Sequence, residues 1–337
     1  MKRPDRLLSQ AGPLGYQLAW RGVRLLPAPA ARALFNQVAD QLTRRNGRSV
    51  RQLRANLDRV TGGRLTPAEL QALTRAGLRS YARYWMETFR LPGMDLDQVA
   101  ARANTIGWEH IRAGAERGRG VILALPHSGN WEAAGIWLIK QGYPFTTVAE
   151  RLKPESLFDQ FVAYREGLGM RVLPLTGGAR PPMEVLAERL RAGEVVCLLA
   201  DRDLSRRGVE VEFFGARTRM PAGPALLAAQ TGATLLPVHC TFTGDGWTQW
   251  VGARIPVEGR AIDAVKTATQ QLADVFADRI AQYPADWHML QKLWRADLDP
   301  SRLAPARLET AELDPPSAGG PATAEPAPSS ADEIRSP

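Results

Sequence analysis

The sequence predicts an α/β fold, a β-sheet with helices on both faces. Three observations carry that prediction. From about residue 119 to 300, short apolar runs alternate with segments of helical periodicity, as strands and helices do when they succeed one another. The chain has 337 residues, 45% hydrophobic and 23% charged, which is ample for a large core. Polar, chemistry-bearing residues fall directly after apolar runs, where ligands bind in open α/β sheets.

Residues 1–60 read as short arginine-rich helices. Leu14, Leu18, Val23, Leu25 and Leu26 are interleaved with Arg21 and Arg24, close to Tyr16 and Trp20. That pattern suits either an interfacial amphipathic element with aromatic anchors or a helix packed on the main domain with a solvated arginine face. Thr66-Pro67-Ala68-Glu69 is a helix start, with Thr as N-cap, Pro at N1 and Glu at N3. The helix it opens runs to about Phe89, with Leu70, Leu73, Tyr81, Tyr84 and Trp85 on its apolar face.

VILALP (121–126) reads as a buried strand, followed by a helix over 131–140. FTTVAE (145–150) is a strand and the stretch from about Pro154 to Leu168 a helix. RVLPL (171–175) is a strand with a helix near 182–192. EVVCLLAD (194–201) is a strand, and VEVEFFG (209–215) another at a sheet edge. A helix near 222–231 leads to the strand TLLPVHCTF (234–242), and a long helix covers about 261–282. From about 299 the chain turns to Pro, Ala, Ser and Glu, a composition that cannot bury enough surface to order itself.

The net charge is +8, mostly from arginine. Such a surface fits nucleic acid, anionic lipid headgroups or a phosphate-bearing substrate. Cys197 and Cys240 each lie in an apolar run with no CxxC or zinc spacing and read as buried reduced thiols, compatible with a cytoplasmic compartment. No apolar stretch approaches the roughly 20 residues of a spanning helix. The N-terminus, broken by Gly, Pro and Arg, lacks a signal-peptide segment.

The strand ends carry the chemistry. After VILALP comes His127-Ser128-Gly129-Asn130-Trp131-Glu132; after TTVA come Glu150 and Arg151; after VVCLLA come Asp201, Arg202 and Asp203. If these strands are parallel neighbours, a histidine, carboxylates and arginines converge on one edge. His127 leaves its strand facing a cleft, and Asn130 is a helix N-cap. Free N–H groups at that helix start can stabilise an oxyanion, and Glu132 can orient the imidazole. His110 reads as surface, His239 as strand packing, and His288 as structural or lining the site. Arg165 is a helix-terminal cation, solvated or gripping phosphate. Arg202, Arg206, Arg207, Arg217 and Arg219 bracket a hairpin beside the site and form a basic rim.

The histidine at a strand end with an acidic residue five positions on resembles the H-x4-D/E signature of glycerolipid and lipid A-type acyltransferases. FFGARTRMPAGPALLA (Phe213 to Ala228) resembles the F-F-G…P-x-G-P block of the lauroyl-type branch. LPHSGNWE, LLADRDL, YPADWHMLQ (283–291) and the run over 147–178 are similar to phosphatidylinositol mannoside acyltransferases. The likeness covers roughly residues 10–298. It implies a mixed, mostly parallel central sheet flanked by helices on both faces, with N-terminal amphipathic helices. Composition and this likeness together divide the chain into a basic membrane-association region (1–60), an acyltransferase domain continuous with it (61–298) and a disordered tail (299–337).

The resemblance further implies a peripheral enzyme on the cytoplasmic face of the inner membrane. It would move a fatty acyl group, palmitoyl by the subgroup's pattern, from acyl-CoA to a mannose 6-hydroxyl of a glycolipid acceptor. His127 matches the general base, Asp201 stands where the subgroup has glutamate, and Arg165 matches a donor-binding arginine. Glu150, Arg202 and Arg207 are the remaining substrate-binding candidates, and neither cofactor nor metal is expected. Because Asp201 is one methylene short, either it or Glu132 is the partner of His127.

Two alternatives stay open at this level. One is an acyltransferase with a lysophospholipid or lipid A-type acceptor; the other is a non-catalytic membrane-binding protein. A metal-dependent hydrolase lacks a second histidine at ligand spacing, and nucleic-acid binding lacks a recognised motif.

Overall fold

Local chemistry sets the helical N-terminal part. The computed structural model describes residues 22–151, 155–203, 208–258 and 262–298; the predicted elements before residue 22 and the tail from 299 lie outside these. Helix α1 (Ala28–Arg45) ends where Asn46 takes a left-handed φ of 46° and its N–H caps the Leu42 and Thr43 carbonyls. Helix α2 (Arg48–Val60) buries Val50, Leu53, Leu57 and Val60, a spacing that keeps them on one face. Helix α3 (Pro67–Arg90) starts with the expected capping box: the Thr66 hydroxyl accepts from Glu69 N–H, and the Glu69 carboxylate accepts from Thr66 N–H. Asp40 ties α1 to α3 by accepting from both Arg75 and Arg79 at 2.5–2.8 Å, which holds its carboxyl well below the usual range.

The remaining elements alternate: α4 (Leu96–Ala101), β1 (Ala103–Ile106), α5 (Trp108–Glu116), β2 (Val121–Leu125), α6 (Trp131–Lys140), β3 (Phe145–Ala149), α7 (Glu155–Gly167), β4 (Arg171–Pro174), α8 (Pro182–Arg191), β5 (Val195–Leu199), β6 (Val209–Phe213), β7 (Ala216–Met220), α9 (Gly223–Thr231), β8 (Thr234–Thr243), β9 (Gly246–Val251) and α10 (Ile262–Gln282). Seven strands form one sheet in the order β1-β9-β8-β2-β5-β3-β4. The five from β8 to β4 are mutually parallel; β9 runs antiparallel to β8, and β1 parallel to β9. The sheet is thus mixed and mostly parallel.

Both faces are covered, so β2 is buried along its whole length, as parallel central strands are. Ile122 and Ala124 pack with α8, α9 and α10 on one side. Val121, Leu123 and Leu125 pack with α5, α6 and α7 on the other. Among the described residues no helix is long and apolar enough to cross a membrane.

Two expectations change. VEVEFFG is not an edge of the main sheet. It pairs antiparallel with β7 in a separate two-stranded ribbon, because Phe214 and Gly215 both take positive φ (51° and 69°) and close a two-residue hairpin. The ribbon is tied to α10 by reciprocal hydrogen bonds of 2.9 Å between Glu212 backbone and the Gln270 amide. Strands β1 and β9 were not foreseen. ANTI is short and polar, and the alternation of GWTQWV spans too few residues to stand out before the hairpin with β8 is known.

Candidate active site

The sheet brings His127 and Asp201 together by register. β2 and β5 are parallel neighbours with Leu125 opposite Leu199, and the ladder continues through Ala200 N–H to Leu125 O at 2.7 Å. His127 and Asp201 each follow two residues later, and they meet. The imidazole Nδ1 lies 2.5 Å from Asp201 Oδ1, and the His127 backbone N–H donates to Oδ2 at 3.0 Å. A third donor, the indole N–H of Trp287, reaches Oδ2 at 2.9 Å.

Asp201 is fully buried and the His127 side chain 26% exposed. Burial alone raises the Asp201 pKa. The adjacent imidazole, through charge and hydrogen bond, and the indole and backbone donors outweigh it, so the carboxyl sits below its ordinary value. A carboxylate at Nδ1 fixes the ring so that Nε2 is the nitrogen that can exchange a proton with a bound group.

The loop after His127 is built to hold this pose. Ser128 forms an antiparallel bridge with Trp287. Gly129 N–H donates to Asp286 O, and His288 N–H to His127 O (2.9 and 2.8 Å). Gly129 has φ +55°, and a Cβ there would lie 2.6 Å from the Cys240 carbonyl, so only glycine fits. Asn130 caps α6, accepting from Ala133 N–H at 3.1 Å. Its amide is oriented by Glu87, a buried carboxylate that accepts from Asn130 Nδ2, Trp247 Nε1 and Arg83 Nε, each at 2.7 Å. The N–H groups of His127, Ser128, Gly129 and Ala133 all donate within the protein. Those four N–H groups, expected as free oxyanion donors, are thus already engaged.

Glu132 does not reach the imidazole partnership. It is fully buried and accepts from Arg165 Nη2 at 3.0 Å and from Tyr84 OH at 3.1 Å. Of the two candidate carboxylates, Asp201 is the one seated at Nδ1. Arg165, read as a helix-terminal cation either solvated or gripping phosphate, has its charge matched inside the protein by Glu132. Burial pushes its pKa down, but Glu132 leads the opposing effects and the net direction is up.

Glu150 and Arg202 do share the carboxyl edge, as a looser ion pair of 3.6 Å, with the Arg202 Nε buried and unbonded. Arg206 and Arg207 lie outside the described residues. Arg217 pairs with Glu210 at 3.3 Å and Arg219 sits on β7. His288 is buried, with Nε2 3.0 Å from Ser80 Oγ, and His239 is buried in β8; burial pushes both to about 3.

Beneath α6, between that helix and the sheet, lies a partly open, mostly apolar cavity of about 80 Å³. Leu123, Leu125, Leu199 and Val238 line it from the strands, Trp131 and Ala134 from the helix, and Arg165 borders it. Cys197 is half-buried because it faces this space.

Trp287, Tyr84 and Glu87 were not anticipated as site residues. Each acts over a sequence separation of 43–86 residues, and the one available signal was that DWH stands in a block shared with a family.

The bacterial lipid A biosynthesis acyltransferase family matches residues 6–296. A phosphatidylinositol mannoside acyltransferase of Mycolicibacterium smegmatis is 54% identical over 296 residues, 88% of this chain and 95% of that protein. One from Mycobacterium tuberculosis H37Rv is 52% identical over 292 residues, 86% and 90% of the two chains. A lipid A biosynthesis acyltransferase of Haemophilus influenzae is 28% identical over 145 residues, 43% of this chain and 44% of its own. With a histidine–carboxylate pair at the sheet edge and an apolar cavity beside it, the chain belongs to the bacterial lipid A biosynthesis acyltransferase family, in the branch of the phosphatidylinositol mannoside acyltransferases.

Proposed function

We propose that this acyltransferase moves a fatty acyl chain, palmitoyl by resemblance, from acyl-CoA to the 6-hydroxyl of a mannose on a phosphatidylinositol mannoside. The observation that carries the mechanism is the 2.5 Å contact between His127 Nδ1 and Asp201 Oδ1. His127 Nε2 takes the proton of the mannose hydroxyl as the oxygen attacks the thioester carbonyl carbon. Asp201 holds the ring and stabilises the imidazolium. The tetrahedral intermediate collapses with cleavage of the C–S bond, and the departing thiolate takes the proton back from Nε2. Ester and free thiol result, and no cofactor enters the balance.

The apolar cavity under α6 suits the acyl chain, with Arg165 at its wall and its charge balanced by Glu132. Glu150 and Arg202, at the same edge, are assigned to polar parts of the substrates. Acceptor identity rests on the two mycobacterial relatives.

Peripheral association with the cytoplasmic membrane face belongs to the same reading. Leu34, Val38 and Leu42 form an exposed apolar stripe on α1 at helical spacing, beside the exposed Arg44, Arg45 and Arg48. This is the combination that anionic interfaces hold.

The test is transfer of radiolabelled palmitoyl from its CoA thioester to a panel of phosphatidylinositol mannoside, lysophospholipid and lipid A precursor. Label on the mannoside is expected. Label on either other lipid alone would retain the mechanism and replace the acceptor.

A further inference from the structure

A buried carboxylate is held in one pose only if its donors are themselves fixed. Asp201 accepts three hydrogen bonds, and two of them come from His127: the ring Nδ1 on Oδ1 and the backbone N–H on Oδ2. Those two bind the pair to itself. The donor that ties the carboxylate to another part of the protein is the indole N–H of Trp287, 2.9 Å from Oδ2.

Trp287 is fully buried, edge-on to Phe213 and Trp294 with ring centroids 6.0 and 6.2 Å away. Its neighbours in sequence grip the other side of the histidine, Asp286 O accepting from Gly129 N–H and His288 N–H donating to His127 O. Asp286 is in turn anchored by the Ser80 hydroxyl at 2.7 Å and by Phe242 N–H at 3.0 Å. One three-residue segment therefore holds both members of the pair. It also relates to a feature of this chain: aspartate reaches less far than glutamate, and a donor behind Oδ2 leaves Oδ1 aimed at Nδ1.

We propose that Trp287 is a positioning residue for the His127–Asp201 pair, its indole N–H setting the orientation in which Asp201 meets the imidazole. This rests on the reading of that pair as the catalytic dyad.

The experiment compares wild type with Trp287→Phe and, for shape without the donor, Trp287→3-benzothienylalanine introduced by codon suppression. Trp294→Phe is the control. It too removes a buried indole N–H, here one that donates to Phe213 O at 2.8 Å, without touching Asp201.

Two readouts are taken on the full chain. In transfer from palmitoyl-CoA to phosphatidylinositol mannoside, both Trp287 variants should lose kcat by about 10- to 100-fold, the worth of a hydrogen bond to a charged group. KM should change little, and the acid limb of kcat/KM should move to higher pH, while Trp294→Phe keeps the wild-type profile. In proton NMR of histidine-labelled protein, the low-field His127 Nδ1 proton should be present in wild type and Trp294→Phe and shifted in both Trp287 variants.

Unchanged kcat, pH profile and Nδ1 proton in the benzothienyl variant would overturn the proposal, as would equal losses in the Trp294 control. A wild type that carries the Nδ1 proton but transfers nothing to the mannoside counts against the functional reading, and the NMR comparison still decides the role of Trp287.

Discussion

Leu125 and Leu199 stand opposite each other on β2 and β5, and this pairing places His127 against Asp201, because both strands run on for two more residues in step. The histidine–carboxylate contact is thus a property of sheet register before it is one of side-chain chemistry.

Asp201→Asn keeps the volume and removes the charge. The amide can present its NH2 to Nδ1 and favour the wrong tautomer. A loss in kcat of about 10³- to 10⁴-fold is expected, with thermal unfolding still cooperative. Steady-state kinetics on the folded variant check it, and a loss under tenfold would remove Asp201 from the dyad.

Glu132 and Arg165 form an interior ion pair. Removing either partner alone leaves a buried charge uncompensated, so Glu132→Gln and Arg165→Met should each lose about 3–5 kcal/mol of stability. The double variant should recover part of it. Urea titrations of the three proteins read this directly. Full stability with lost activity in the single variants would instead give Glu132 a direct part in the chemistry.

The cavity under α6 predicts chain-length selection. Ala134 borders it, and Ala134→Leu adds volume there, so the preferred donor should shift toward shorter acyl-CoA thioesters. Competition among donors of graded length measures the shift, and an unchanged preference would place the acyl chain elsewhere.

Acid sensitivity follows from two buried histidines. Burial pushes His239 and His288 from the ordinary 6.5 to about 3. Between those values the unfolded chain binds protons that the folded one refuses, so stability is complete above pH 6.5 and falls on acidification toward 3. At pH 5 the loss is about 2 kcal/mol per histidine. Asp286, raised chiefly by burial, has the opposite sign and offsets a part at the acid end. Denaturation at pH 7.5 and 5.0 should show the drop, and His239→Leu should reduce it.

Replacing Leu34, Val38 and Leu42, which are 41–49% exposed, with serine removes the stripe of α1 at some cost in buried surface and helix propensity. Sedimentation with anionic vesicles should weaken several-fold while unfolding stays cooperative. Equal sedimentation would take α1 out of the membrane contact.

Much of the fold was legible because its signals are local. VILAL and VVCLL are apolar runs long enough for a strand, Thr66 and Glu69 form a complete cap, and His127 and Asp201 follow their strands directly. What was illegible depends on distant partners. The ribbon of β6 and β7 needed the positive φ of Phe214, which no propensity favours. β9 is a strand because β8 lies beside it. Glu132 is drawn inward by Tyr84 and Arg165, 48 and 33 residues away, so its place near His127 in sequence said little about its place in space.

The segment that seats the dyad, residues 286–288, follows α10 and is the last part of the described fold to touch the site. A chain shortened to the end of α10 keeps the strands, the histidine and the aspartate, but lacks the Trp287 donor and the two backbone bonds that hold the pair from outside. The order of the paired side chains is therefore completed by a segment that follows every strand of the sheet in the chain.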